Sequence, residues 1–382
     1  MRVAGLMSGT SLDGIDVAIV DISGHRFRQK LRLVAHYEEP YPAAVREALL
    51  SVSNTMTHTA PVARLHFLLG ELYAEAVRQA CRKRRVALRS IELVGCHGQT
   101  IFHEGEPIEF LGRRVASTFQ IGDPAVLAER LGVPVVSNFR ERDVAAGGKG
   151  APLVPLLDCV LLRSPKLGRV ALNIGGIANI TAIPAGARPE QVVAFDTGPG
   201  NMVIDALVQK QSGGWRKFDP DGAIAAAAAV DPRMLEAMLS DPYYARRPPK
   251  STGREQYGAE YVSGLIATGL PLDSLIATAT ELTARTIALG IERFVRFPVH
   301  ELIAAGGGIH NRTLMRRLQE LLPRLRFRTT RDFGIEPDAK EAVAFALLAY
   351  ETWHGRPANL PAATGARAAV PLGRITPGPG KR

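Results

Sequence analysis

Short apolar runs punctuated by glycine turns alternate with helical patterns along this chain, and the series occurs twice. The first copy opens Val3-Ala4-Gly5-Leu6-Met7-Ser8-Gly9-Thr10-Ser11-Leu12-Asp13-Gly14-Ile15-Asp16-Val17-Ala18-Ile19-Val20 and reads as strand, turn and strand. A third strand is expected over 31–37, helices over 43–51 and 62–83, and further strands over 91–96 and 115–120. Asp123-Pro124 supplies the cap and first-turn residues of a short helix. A strand over 133–136 follows, and the glycine- and arginine-rich stretch 139–155 reads as a long functional loop.

The second copy opens Val170-Ala171-Leu172-Asn173-Ile174-Gly175-Gly176-Ile177-Ala178-Asn179-Ile180-Thr181. Strands are expected over 169–174, 177–183, 192–195 and 301–305. Helices are expected over 202–211, 223–230 and 233–239, with a long amphipathic one within 272–294 and another over 338–351. The Pro/Gly-rich tail from Gly365 reads as loosely ordered. These patterns predict an α/β protein of two similar halves. Domain I takes 1–137 with about 345–382, the last helix returning to it, and domain II takes 138–344.

Composition narrows the classes. The chain has 382 residues, 46% hydrophobic and 22% charged, ample for a globular core. The net charge of +10 is scattered, and its densest run, Arg82-Lys83-Arg84-Arg85, closes a helical pattern where cations suit the dipole. No aromatics interleave with the charges, which argues against nucleic acid. Cys81, Cys96 and Cys159 lack metal or redox spacing and read as reduced core residues. No apolar run approaches the ~20 residues of a membrane span. Met1-Arg2 runs straight into a strand, so no signal peptide is expected and the cytoplasm is the expected location.

Turns of Gly with Ser, Thr or Asn bare backbone N–H groups and suit phosphates. Gly9-Thr10-Ser11-Leu12-Asp13-Gly14 is one candidate, with Asp13 in reach of Mg²⁺ through water; a plain Asp-Gly hairpin is the other reading. Gly175-Gly176 is a second phosphate candidate. Gly306-Gly307-Gly308 is expected to approach a sugar or base, because three glycines in a row have no packing value. Asp196, in Phe195-Asp196-Thr197-Gly198-Pro199-Gly200-Asn201, sits at a strand tip and suits a general base, with Asn201 as helix cap. His97-Gly98-Gln99-Thr100 suits sugar hydroxyls, since no Cys or Glu set completes a zinc site with His97 and His103. Arg140, Lys149 and Arg254 are candidates for carboxylate or phosphate binding. Asp338 reads as a cap, and Glu341 either solvates its helix or points into a cleft.

Taken in order, 5–16, 97–100, 139–155, 173–181, 195–201, 250–255, 304–311 and 341–344 resemble the anhydro-N-acetylmuramic acid kinase family over nearly the whole chain. The resemblance implies two RNase H-like domains of the actin-like ATPase superfamily, with ATP in the cleft between them. It implies that 1,6-anhydro-N-acetylmuramic acid, ATP and water give N-acetylmuramic acid 6-phosphate and ADP, in peptidoglycan recycling and amino sugar catabolism. Asp196 matches the family's base. Gly9, Thr10, Ser11, Leu12, Asp13, Gly14, Ile15 and Asp16 match its ATP motif, joined by Gly175, Gly176, Gly306 and Gly307. His97, Gln99, Thr100, Arg140 and Glu341 match its sugar side. ATP and Mg²⁺ are the implied cofactors and a homodimer the implied assembly. Two positions depart from the pattern. Met7-Ser8 stand where many actin-like kinases carry an acid, a role left to Asp13 or Asp16, and Leu156-Leu157-Asp158 replace the Ala-Phe-His of some members. A kinase for another substrate and an actin-like clamp are the rival readings; a clamp needs no general base.

Overall fold

The structure is a computed structural model describing all residues except Thr10, Ser11, Asp13, Arg26 and 380–382. The chain divides into two compact units, Met1–Leu161 with Gly334–Arg382, and Leu162–Phe333.

In the first unit, β1 (Arg2–Ser8), β2 (Gly14–Ser23) and β3 (Lys30–Pro40) form an antiparallel meander. β4 (Leu93–Phe110) pairs parallel to β1, and also antiparallel to β5 (Arg113–Ile121). β6 (Val135–Ser137) runs parallel to β4. The second unit repeats this plan. β7 (Arg169–Ile174), β8 (Ile177–Ile183) and β9 (Val193–Pro199) form the meander, and β10 (Glu301–Ala305) and β11 (Arg326–Thr329) add in parallel. The spatial orders β3-β2-β1-β4-β6 and β9-β8-β7-β10-β11 are the same 3-2-1-4-5 arrangement. That is the RNase H-like order expected for each half.

β1 is apolar along its length because helices cover both faces of its sheet. The helix α1 (Thr59–Lys83) packs against β2 and β3, and a late helix packs against β1, β2 and β4. Gly5 and Gly95 are register partners on β1 and β4. A Cβ on Gly5 would lie 2.0 Å from the Ala342 carbonyl oxygen, and one on Gly95 2.3 Å from that of Phe345. The glycine pair is therefore the seat of the late helix, whose Ala342, Ala346 and Ala349 present small side chains.

The short helix α2 (Pro124–Leu131) begins as its sequence predicts, with Asp123 accepting from Ala125 and Val126. Where a loop was expected, 139–145 form the helix α3 (Phe139–Ala145). Buried Asp143 explains it: one carboxylate oxygen accepts from the Gly150 N–H, the other from Asn359 and Thr364. These bonds place 138–161 in the first unit, not with the second half, and the boundaries fall at 161/162 and 333/334 rather than 137/138 and 344/345.

In the second unit α4 (Asn201–Gln211) follows β9, and α5 (Leu272–Phe294) is buried on nearly every side. It was expected to be amphipathic, but its buried threonines bond to carbonyls: Thr280 to Ile276 on the helix itself, Thr283 to Pro199 and Gly200. The late helix α6 (Lys340–Trp353) is not capped by Asp338 as expected; Asp338 lies in the preceding 3₁₀ turn and makes no cap bond. The tail is not loose: β12 (Arg374–Thr376) pairs with β6 and Leu372 is fully buried. All three cysteines are free and buried, as expected.

Candidate functional site

The first glycine turn is braced from β4. Ser8 and Gln99 are register partners, and the Ser8 hydroxyl bonds both Gln99 and the Tyr41 hydroxyl. The Gln99 amide donates to the Gly9 carbonyl at 3.1 Å. Leu12 closes the turn with φ +60° and its N–H on the Gly9 carbonyl. Thr10, Ser11 and Asp13 lie outside the described residues. Gly14 is explained by packing, since a Cβ there would lie 2.4 Å from the Glu39 carbonyl oxygen. Ile15 points into the core, and Asp16 lies opposite Glu38 on β3.

His97 and Thr100 belong to the long strand β4, which runs on past the end at 96 expected for it. Beyond them β4 continues as one arm of an antiparallel hairpin with β5, with register shifts between Thr100 and Phe102 and between Glu104 and Ile108. Thr100 Oγ1 accepts from Gln120. His97 is buried, its ring 4.6 Å from that of Phe345, and its Nε2 accepts from Arg140 Nε at 2.9 Å. Burial first, then the Arg140 charge, holds the His97 imidazole well below its ordinary range, so it is neutral. Arg140 also donates to the Gly150 carbonyl. Burial lowers its guanidinium to about 10, against the opposing pull of Glu341 and Asp143. Burial raises the Glu341 carboxyl, with Lys340 and Arg140 pulling the other way. α3, β4 and α6 thus bring His97, Arg140 and Glu341 into one electrostatic group. Sequence reasoning missed the neighbouring ion pair of Lys340 with Asp158 at 2.7 Å, both side chains buried. It gives the acid of Leu156-Leu157-Asp158 a partner within the fold.

In the second unit the Gly175-Gly176 turn lies against the start of α4. Its two carbonyls accept from the N–H groups of Gly200, Asn201 and Met202, satisfying helix donors that otherwise lack partners. Asn201 is therefore the first helical residue and makes no cap bond, contrary to expectation. A Cβ on either glycine would meet nothing closer than 3.6 Å, so the turn is open. The third glycine run behaves differently. Gly306 has φ +82° and, like Gly308, is packed tightly on Ile174, which overturns the reading that the run has no packing value; Gly307 alone is open.

Asp196 lies on β9 beside a register shift opposite Asn179. Its N–H donates to the Lys250 carbonyl at 3.1 Å, its carbonyl accepts from the Tyr243 hydroxyl at 2.8 Å, and its Oδ2 accepts from the Thr252 N–H at 3.0 Å. The loop Lys250-Ser251-Thr252 is therefore its immediate support. Lys250 falls within the 250–255 motif of the resemblance without a role of its own, and Tyr243 was not marked by sequence; the aromatic pair Tyr243-Tyr244 was the available signal.

Among the described residues, one group offers three ligand atoms for a metal, Asp16, His36 and Glu38, all within 4.8 Å of one another. Mg²⁺ takes oxygen ligands, commonly one or two carboxylates plus phosphates, so Asp16 suits it better than the histidine does. No helix among the described residues is long and apolar enough to cross a membrane.

The family model for anhydro-N-acetylmuramic acid kinase matches residues 1–378. An anhydro-N-acetylmuramic acid kinase from Caldanaerobacter subterraneus subsp. tengcongensis is 45% identical, covering 98% of this chain and 96% of its own. One from Salinibacter ruber is 46% identical over 99% of this chain and 96% of its own. A more distant likeness is to the activator of the 2-hydroxyisocaproyl-CoA dehydratase from Clostridium difficile with bound ADPNP, at 12% identity and a TM-score of 0.44, covering 92% and 95% of the two chains. Matched from one end to the other, the chain belongs to the anhydro-N-acetylmuramic acid kinase family and is a kinase.

Proposed function

We propose that this kinase opens the 1,6-anhydro bridge of 1,6-anhydro-N-acetylmuramic acid with water while transferring the γ-phosphoryl group of ATP to O6. Asp196 takes a proton from water as the water oxygen bonds to C1. The C1–O6 bond breaks, O6 bonds to the γ-phosphorus, and ADP leaves. The products are N-acetylmuramic acid 6-phosphate and ADP. In glycosidases a carboxylic acid protonates the departing oxygen; here the phosphoryl group takes up its electrons instead.

The observation that carries this reading is the hold on Asp196, through its N–H, its carbonyl and one carboxylate oxygen. A base fixed in one orientation lowers the entropic part of the barrier. The Gly175-Gly176 carbonyls bind the N–H groups where β9 passes into α4, which ties the strand that carries the base to the open phosphate turn. Gly9, Leu12 and Gly307 hold other parts of ATP through their backbone, with Thr10, Ser11 and Asp13 in the same motif. Gln99 acts by bracing Gly9. His97, Thr100, Arg140 and Glu341 face the sugar, Arg140 supplying positive charge for its lactyl carboxylate. Asp16 or Asp13 would hold Mg²⁺ with the phosphates, and the ion supplies charge neutralisation during transfer. The proposed setting is the cytoplasm, as a homodimer, in peptidoglycan recycling and amino sugar catabolism.

The test is phosphoryl transfer from labelled ATP to three acceptors: the anhydro sugar, free N-acetylmuramic acid and glucose. Transfer to the anhydro sugar alone, or far faster, is expected. Preferred transfer to glucose or the free sugar would overturn the reading.

A further inference from the structure

Lys250 is buried, an environment ammonium groups rarely occupy without compensating contacts. Its Nζ donates to the carbonyls of Tyr243 at 3.1 Å and Tyr244 at 3.4 Å. It lies 4.5 Å from the ring centre of Tyr243, 4.9 Å from Phe294 and 5.7 Å from Phe195. Ring faces and carbonyls are the partners a desolvated cation requires. The same short segment holds Asp196 through the Lys250 carbonyl, the Thr252 N–H and the Tyr243 hydroxyl. Both ends of that grip are thus tied together by one ammonium.

We infer that Lys250 is a positioning residue of the reaction, its ammonium locking residues 243–252 so that their backbone holds Asp196 in one orientation. The inference rests on Asp196 being the base. Arg246 and Arg293 repel the Lys250 charge, and Asp196 and Asp241 attract it. Burial is the largest influence and lowers Lys250 to about 8. The cation, and with it the lock, is therefore lost on the alkaline side of neutrality. An arginine keeps its charge there.

The experiment compares wild type, Lys250→Met, Lys250→Arg and Asp196→Asn in kcat, in KM for both substrates, and in the pH dependence of kcat. Lys250→Met is expected to lose about 10²-fold in kcat, the scale of a misplaced catalytic group, with KM for ATP nearly unchanged. Its acid limb should move to higher pH, because a neighbouring cation favours the carboxylate. Lys250→Arg should restore much of kcat and remove the alkaline limb. ATP-induced thermal stabilisation reports folding of each variant; if the methionine variant does not fold, the alkaline limb of the arginine variant decides. Wild-type kcat and an unmoved acid limb in Lys250→Met, or an unmoved alkaline limb in Lys250→Arg, would overturn the positioning role. Turnover by Asp196→Asn would instead overturn the base beneath it.

Discussion

Arg140 donates its Nε–H to Nε2 of His97 at 2.9 Å, which fixes the imidazole as neutral with its proton on Nδ1. Protonating His97 would set two cations against each other in a buried place. Its folded value is depressed below the ordinary 6.5, so its contribution to stability is present above about pH 6.5 and lost as the pH falls. Denaturant unfolding across pH should show wild type losing up to about 1.4 kcal/mol per pH unit through this group below that point. In His97→Gln that part of the slope should vanish. Equal slopes would mean the histidine is not held neutral.

The open and packed glycines should separate nucleotide binding from stability. A Cβ at Gly176 would meet only Met202, at 3.6 Å, so Gly176→Val should fold normally and bind ATP more weakly. Gly306 has φ +82° and would drive a Cβ to 2.7 Å from the Ile174 carbonyl oxygen. Gly306→Ala should therefore cost more than about 1 kcal/mol of stability before any effect on ATP is considered. ATP titration and thermal melting of both variants check the pair. A destabilised Gly176→Val with unchanged ATP affinity would reverse the assignment.

Breaking the Lys340–Asp158 pair should be among the most damaging single changes, since it strands a buried ammonium. Asp158→Asn is expected to cost about 3–5 kcal/mol, whereas replacing both partners with apolar residues should cost far less. Urea denaturation of the single and double variants measures this. Similar losses in both would show that packing, not charge, governs the position.

The repeated strand–turn–strand pattern was legible because glycine turns and apolar runs are local signals, and the paired meanders at Val3 and Val170 carry them strongly. Asp196 stands out in the sequence for the same reason, as an acid beside glycines, although the structure sets it within β9 rather than at the strand's tip. What stayed hidden depends on partners distant in sequence. The helix 139–145 rests on Asp143 meeting Asn359 and Thr364, more than two hundred residues away. The ordered tail rests on pairing with β6, and Gly306 and Gly308 on packing against Ile174. Lys250 belongs to the 250–255 motif, but nothing in its neighbours announces that Phe294 on α5 covers it.

The central claim is that water attacks C1 while O6 receives the phosphoryl group. Turnover of the anhydro sugar with ATP in oxygen-18 water tests it most directly, with mass spectrometry locating the label. The account predicts one labelled oxygen at C1 of N-acetylmuramic acid 6-phosphate, none in its phosphate, and no product from Asp196→Asn. Label in the phosphate, or an unlabelled C1 oxygen in freshly formed product, would contradict it.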